Sequence, residues 1–255
     1  MKAGERIDWR PTLVSAAKAS HTLLEGAPED MMAEVASQAG KLAAQEMAAN
    51  DPHFKAVPVC AEGCVYCCYQ AVVATTPEVV WIAKYLRETL DEKALAALAT
   101  RLSALASETA TISLQEWHRR HTPCPMLDVA SGSCTVHEAR PMTCRAHNSL
   151  DVFACSSSFE AGDVDAKIPM NVFQKGAFEA SWLGSMAAMA EAGKDTEVYD
   201  LTQALVLALA DPAVGEAWAR GERPLASARV PRTLSVTQRF TPLYQPGRKA
   251  LRVVR

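Results

Sequence analysis

A chain of 255 residues can bury a full core without a disulfide or metal staple. Its formal charge of -3 offers no bulk attraction to nucleic acid or to an anionic membrane, so neither partner is expected. The opening residues carry no apolar run of secretory-signal length, and no stretch approaches the roughly 20 apolar residues of a membrane helix. The expected compartment is therefore the cytoplasm, where thiols stay reduced. Alanine is abundant and aromatics make up only 6 %, a balance that favours helices over sheets.

In chain order, residues 12–49 read as helix, broken near Gly26-Ala27-Pro28 and stopped at Asn50-Asp51-Pro52. After the first cysteines, Thr76-Pro77-Glu78 is a helix start: Thr76 can cap, and Pro77 suits a first-turn position that needs no amide donor. Val79, Ile82, Ala83, Leu86 and Leu90 follow the spacing of a core-facing helix. Asp91 opens a second stripe at Leu95, Leu98, Leu102 and Leu105. A tight turn at residues 89–92 makes these two helices an antiparallel pair that returns Cys68 toward Cys124.

Residues 122–165 lose this periodicity. Pro123, Pro125, Gly132, Pro141 and Gly162 punctuate them, and little regular structure is expected. Residues 170–193 return to helix, with Phe178, Trp182 and Met189 on one face and Gly193 as the stop. Asp195 is placed to cap a further helix with a stripe of Val198, Leu201, Leu205 and Ala208. A short helix follows around Trp218, and the chain from Arg223 reads as an extended tail. The expected fold is mainly α: a helical body with irregular cysteine-rich loops organised around a metal site. Its regions are N-terminal helices at 1–56, a cysteine-cluster metal-binding region at 57–165, and C-terminal helices with a tail at 166–255, in one compact unit.

The chemistry lies in the cysteines. Cys60, Cys64, Cys67 and Cys68 fall within nine residues, and Cys124, Cys134, Cys144 and Cys155 follow in the same central stretch. A disulfide framework suits small secreted domains, and this chain is neither small nor visibly secreted. Metal ligation therefore stands ahead of it. Cys64-x2-Cys67 has the spacing that lets one turn of backbone present two thiolates to one ion. Adjacent side chains diverge, so Cys67 and Cys68 are not expected to bind the same ion; Cys68 can ligate a second ion, bridge two metals or be inert. Cys124, Cys134 and Cys144 stand about ten residues apart and make a poor chelate alone, but they can complete a four-sulfur site with the first group. Such thiolates select zinc or an iron–sulfur cluster over hard ions.

Several other residues have a plain reading beside the chemical one. His118 and His121 sit at i, i+3 and could ligate, but a solvated basic helix end accounts for them as well. His147 could ligate or support a ligand through a hydrogen bond. Arg140 and Arg145 flank Cys144, where cations would lower a thiol pKa and offset thiolate charge; the plain reading is a surface arginine paired with Glu138. Cys155, beside Ser156, Ser157 and Ser158, reads as a loop thiol available for ligation. Met31, Met32, Met186 and Met189 read as core packing rather than as a copper site.

Cys64-Val-Tyr-Cys67-Cys68, Thr76-Pro77-Glu78, Cys124-Pro125-Met126-Leu127, Gly132-Ser133-Cys134-Thr135-Val136-His137 and Arg140-Pro141-Met142-Thr143-Cys144-Arg145 together resemble the bacterial zinc- or iron-chelating cysteine-cluster proteins, the YkgJ-like or CxxCxxCC family. The resemblance covers about residues 60–156. It implies that Cys64, Cys67, Cys68, Cys124, Cys134 and Cys144 are the core metal-binding set. It does not imply a histidine ligand at His137, and Cys60 departs from the family spacing, with three residues before Cys64 in place of two. The full candidate set is Cys60, Cys64, Cys67, Cys68, Cys124, Cys134, Cys144 and Cys155, and the expected cofactor is zinc or iron, with a 4Fe-4S cluster as one form of the latter. The expected function is metal binding through clustered thiolates. The alternative is an iron–sulfur enzyme with redox or group-transfer activity, as in the methylase-like relatives, although the chain has no glycine-rich nucleotide loop.

Overall fold

The computed structural model describes residues 8–24, 26–49 and 57–228 of the chain. The N-terminal stretch forms α1 (Arg10–Leu23) and α2 (Pro28–Ala49), separated where Gly26-Ala27-Pro28 predicts a break. The Asn50-Asp51-Pro52 stop and the tail beyond residue 228 lie outside the described residues. Both helices pack on α8 (Val172–Glu191), whose small residues allow close approach. A Cβ at Gly184 would stand 2.3 Å from the Leu13 carbonyl oxygen, so only glycine lets α1 cross α8 at this depth. Met31, Met32, Met186 and Met189 are all buried in this part of the core, as ordinary packing requires.

The central helices are α3 (Thr76–Thr89) and α4 (Glu92–Thr109). Val79, Ile82, Ala83, Leu86, Leu98 and Leu102 are buried, so both stripes face the core. The turn between them is tight: Leu90 caps α3, and the Asp91 side chain accepts the Ala94 N–H to start α4. The two helices do not pack chiefly on each other, however. Both lie against α9 (Leu201–Ala210), whose apolar face fills the space between them.

Two further departures from the sequence reading have local causes. Asp195 does not cap α9. Val198–Asp200 is a strand, β4, paired antiparallel with β1 (Val73–Thr75), and the α9 cap is Asp200, which accepts the Gln203 N–H. Asp195 instead accepts the Tyr199 hydroxyl and pairs with Arg223. The punctuated stretch is also more ordered than its proline and glycine content suggests. It holds a short hairpin of β2 (Leu127–Asp128) and β3 (Ser133–Cys134), then α6 (Met142–Ala146) and α7 (Val152–Ala161). The short helix α5 (Leu114–Arg119) precedes it, and α10 (Val214–Ala219) carries Trp218. With ten helices and two small two-stranded sheets among the described residues, the fold is mainly helical.

One buried acid ties these pieces together. Glu78 is fully buried, and its carboxylate accepts four hydrogen bonds. The Thr75 N–H and hydroxyl donate at 2.8 and 2.7 Å, the Trp182 indole N–H at 3.1 Å, and the Met142 N–H at 2.8 Å. Thr75, rather than Thr76, is therefore the N-cap of α3. Burial pushes the Glu78 carboxyl up, and the four donors pull it back. The same carboxylate joins the start of α3, the start of α6 and the middle of α8.

Glu78→Gln turns an amide NH₂ toward groups that donate to the carboxylate. It is expected to cost about 2–4 kcal/mol of stability, read as a lower midpoint in denaturant unfolding. Glu78→Asp, one methylene short of these donors, should also destabilise, whereas a surface control such as Glu108→Gln should not.

Candidate metal centre

Each cysteine-bearing segment is placed by a different local device. Cys64 follows an exposed turn closed by its own N–H on the Ala61 carbonyl at 3.0 Å, with Gly63 at φ +86°. Cys67 and Cys68 lie in a single 3-10 turn, Tyr66–Tyr69. Cys124 donates its N–H to the Cys68 carbonyl at 2.6 Å, so the chain does return to the first cysteine group after α3, α4 and α5. The β2–β3 hairpin sets Cys134 opposite Leu127, just beyond Cys124. Cys144 sits in α6, whose Thr143 hydroxyl donates to the Val73 carbonyl at 3.1 Å. Cys155 lies in α7, not in a loop, because Asp151 caps that helix with bonds to the Phe153 and Ala154 N–H groups.

The hairpin and the first turn meet at two glycines. Gly132 has φ +71°, and a Cβ there would lie 3.1 Å from the Gly63 Cα and 3.2 Å from its carbonyl oxygen. The contact brings the loop before Cys134 against the loop before Cys64.

All eight cysteines are free, so none is in a disulfide. Cys67 and Cys60 are exposed as residues, and the others are half-buried. The thiols that act most strongly on Cys144 are Cys124, Cys67 and Cys134, and those acting on Cys124 are Cys134 and Cys67. Three sulfurs also accept a backbone N–H from two residues on: Cys64 from Tyr66, Cys124 from Met126 and Cys134 from Val136. Such bonds favour the thiolate. The Cys68 thiol is the largest influence raising Cys67.

Burial works against ionisation throughout. It pushes the Cys124 thiol up to about 12 and Cys144 well above the ordinary range, and raises Cys64 and Cys134. Cys67 rises through the Cys68 thiol first and burial second, although part of the residue faces solvent. Two cations oppose this. Arg140 acts on Cys67, Cys134 and Cys144, and Arg145 acts on Cys134. The Arg145 guanidinium is held over the Trp81 ring, 5.3 Å from its centroid, and donates to the Arg140 and Glu138 main-chain carbonyls. It therefore does not make the Glu138 carboxylate pair of the plain reading; that carboxylate meets His137. The Arg140 Nε is buried with no hydrogen-bond partner among the described residues.

The histidines serve packing. His118 is buried and His121 stacks on Phe159 with centroids 3.9 Å apart; their Nε2 atoms meet the Ser158 and Phe159 carbonyls at 3.2 and 2.9 Å. They dock α7 against α5 rather than ending a solvated helix. Burial and Lys175 lower the His147 pKa, which keeps it neutral.

Thiolates on one zinc ion at ~2.3 Å stand roughly 3.8 Å apart. Among the described residues, no three His, Cys, Asp or Glu side chains are gathered into a group of that kind. The donor chemistry fits a soft metal, with eight free thiols in the central stretch and a buried Arg140 Nε without a partner among the described residues. The sulfurs must still close onto the ion. A cavity of about 400 Å³ lies elsewhere, between α1, α2 and α8, and no cysteine lines it.

Sequence reasoning named every cysteine but took Glu78 only for part of a helix start. The Thr75-x-x-Glu78 spacing of a capping box was the available signal.

Compared with known proteins, residues 59–167 match the CxxCxxCC family model, described as a "Putative zinc- or iron-chelating domain". The match spans less than half of the 255-residue chain and includes all eight of its cysteines, from Cys60 to Cys155. No curated protein and no solved structure matches the chain. No helix among the described residues is long and apolar enough to cross a membrane.

Gly132→Ala forces both a left-handed backbone on alanine and a Cβ onto Gly63. It should cost about 1–3 kcal/mol and weaken metal uptake. Gly63→Ala meets open space and carries only the backbone strain, so thermal melts should rank Gly132→Ala as the worse variant.

Proposed function

We propose that this chain binds zinc or iron through the thiolates of Cys67, Cys124, Cys134 and Cys144, in the reducing cytoplasm. The observations that carry the reading are the return of Cys124 to the first cysteine group, where its N–H meets the Cys68 carbonyl, and the buried Arg140 Nε, which has no hydrogen-bond partner among the described residues. The match of residues 59–167 to a zinc- or iron-chelating domain supports it. Bound there, the ion would supply the positive charge that four buried sulfurs need in order to ionise. It would join the 3-10 turn, the β2–β3 hairpin and α6, and Arg140 and Arg145 would offset the excess charge of four thiolates on a divalent ion. A site closed by four protein ligands holds structure or stores metal, whereas an open position would admit chemistry.

Anaerobic purification followed by elemental analysis and absorbance tests the reading. Zinc or iron at stoichiometric levels or above is expected. A colourless zinc protein supports a structural or storage site, and a brown protein with a broad visible band supports an iron–sulfur cluster and reopens the enzyme alternative. Metal-free protein whose thiols are blocked as disulfides overturns the reading. Cys144→Ser should lower zinc affinity at least ~100-fold, because even a residue supporting a ligand costs ~10–100-fold.

Uptake should also depend on pH with a fixed sign. The thiols are held protonated by burial, so binding must release protons, up to about four for a four-thiolate site. Apparent affinity should therefore rise with pH across the neutral range, and mixing with zinc in weak buffer should acidify the solution. An affinity that is flat with pH would count against buried thiol ligands.

A further inference from the structure

Away from the thiols, α1 and α2 both lie on α8 and pack more closely on it than on each other. Two glycines of α8 set the depth of α1. Gly184 admits the Leu13 carbonyl, and Gly176 seats the Trp9 indole, where a Cβ would stand 2.2 Å from the ring. Ser181 lies between those two contacts along α8, and the three helices enclose a cavity of about 400 Å³ beside it. Buried Ala16, Val35 and Ser181 line this space, and their short side chains leave it open. Half-buried Trp9 and Leu42 add apolar wall, and Ser15 stands exposed at the rim. Ser181 is only 4 % exposed, yet its hydroxyl makes no hydrogen bond among the described residues. Ser185, one turn on in the same helix, does donate, to the Trp182 carbonyl at 2.7 Å. Buried hydroxyls are ordinarily paired, so the Ser181 group is a free donor and acceptor facing an apolar cavity. The Gln38 amide NH₂ is spent on Glu34 at 2.8 Å, which leaves its oxygen as a second acceptor in the wall. Asp8, the one charged residue of the lining, is paired with Arg10 at 2.8 Å.

We propose that this cavity binds an uncharged small organic molecule, with a flat or aliphatic body against Trp9, Val35 and Leu42 and a hydroxyl or carbonyl end on the Ser181 hydroxyl. Its volume falls within the ~300–1,000 Å³ of small-molecule sites, and an apolar lining with a few placed polar groups is their usual composition. The charge balance selects a neutral ligand. An anion would find no cation among the described lining residues, and an ammonium would have to displace Arg10 from Asp8. No cysteine lines the cavity, so the site stands or falls independently of metal binding.

The test uses the full chain, labelled with ¹⁵N, and benzyl alcohol as the probe, with toluene, benzylammonium and benzoate for comparison. NMR titration follows the Trp9 indole N–H and the amide signals of Gln38 and Ser181. Benzyl alcohol should shift these signals saturably, with a Kd of about 1 mM or tighter. Toluene, which lacks the hydroxyl, should bind ~3–10-fold more weakly, and neither ion should saturate. Ser181→Ala should cost benzyl alcohol the same ~3–10-fold and leave toluene unchanged. Ser15→Trp, a change on the exposed rim, should block both, with circular dichroism showing the helices retained. Toluene matching benzyl alcohol, or Ser181→Ala leaving both unchanged, overturns the role of the Ser181 hydroxyl. Saturation by either ion overturns the uncharged class. Binding that survives Ser15→Trp unchanged, or no saturable shift with any probe, overturns the site, and the cavity then holds water only.

Discussion

The position of Cys144, and of the helix that carries it, depends on a buried carboxylate that meets the first N–H of that helix. Glu78 lies in a core where an isolated charge costs several kcal/mol, and four donors compensate for its burial. Because the acid sits on α3 and its donors come from β1, α6 and α8, satisfying it requires all of these elements to meet at one point. The start of α6 is fixed there, and Cys144 follows two residues later. The strand that ends at Thr75 is fixed too, and it holds Thr143 through the Val73 carbonyl. An apolar residue at this position could pack well, but it would not specify the direction from which α6 arrives.

Around that anchor the thiols stand in tension with their surroundings. Burial favours the neutral form, while sulfur-directed N–H groups and two arginines favour the anion. Neither side is satisfied by the protein alone, as the unpartnered Arg140 Nε shows. A soft divalent cation, the proposed ligand, would resolve the conflict by replacing the protons and giving the sulfurs a common partner. Helices that each bury an apolar stripe need no such partner, which explains why the body is ordinary and the thiol region is not.

Much of this was legible in the chain itself. The stripes of α3 and α4 repeat at helical spacing, the Gly26-Ala27-Pro28 break separates α1 from α2, and Gly193 with φ +69° follows α8 as its stop. Local reading failed where long-range pairing intervened. Val198 fits a helical stripe, but β1 offers it a strand partner, and the helix start moves to Asp200. The serines around Cys155 suggest a loop, yet an Asp151 cap and packing against His118, His121 and the tyrosines make a helix. The punctuation of residues 122–165 correctly marks short elements, but it conceals where each one docks.

The division between sequence and structure follows the range of the forces involved. Residue identity and spacing alone determined a mainly helical body, eight soft ligands and a resemblance to metal-chelating proteins, because periodicity and donor chemistry are local properties. Only the tertiary structure decided that α9 separates α3 from α4, that Cys124 returns to Cys68, and that Glu78 holds α6 in place. It alone set the Cys60 sulfur against the Ser149 N–H and Thr143, beside Cys144, against the Val73 carbonyl. Those contacts join residues far apart in the chain, through burial and hydrogen bonds that no single segment encodes.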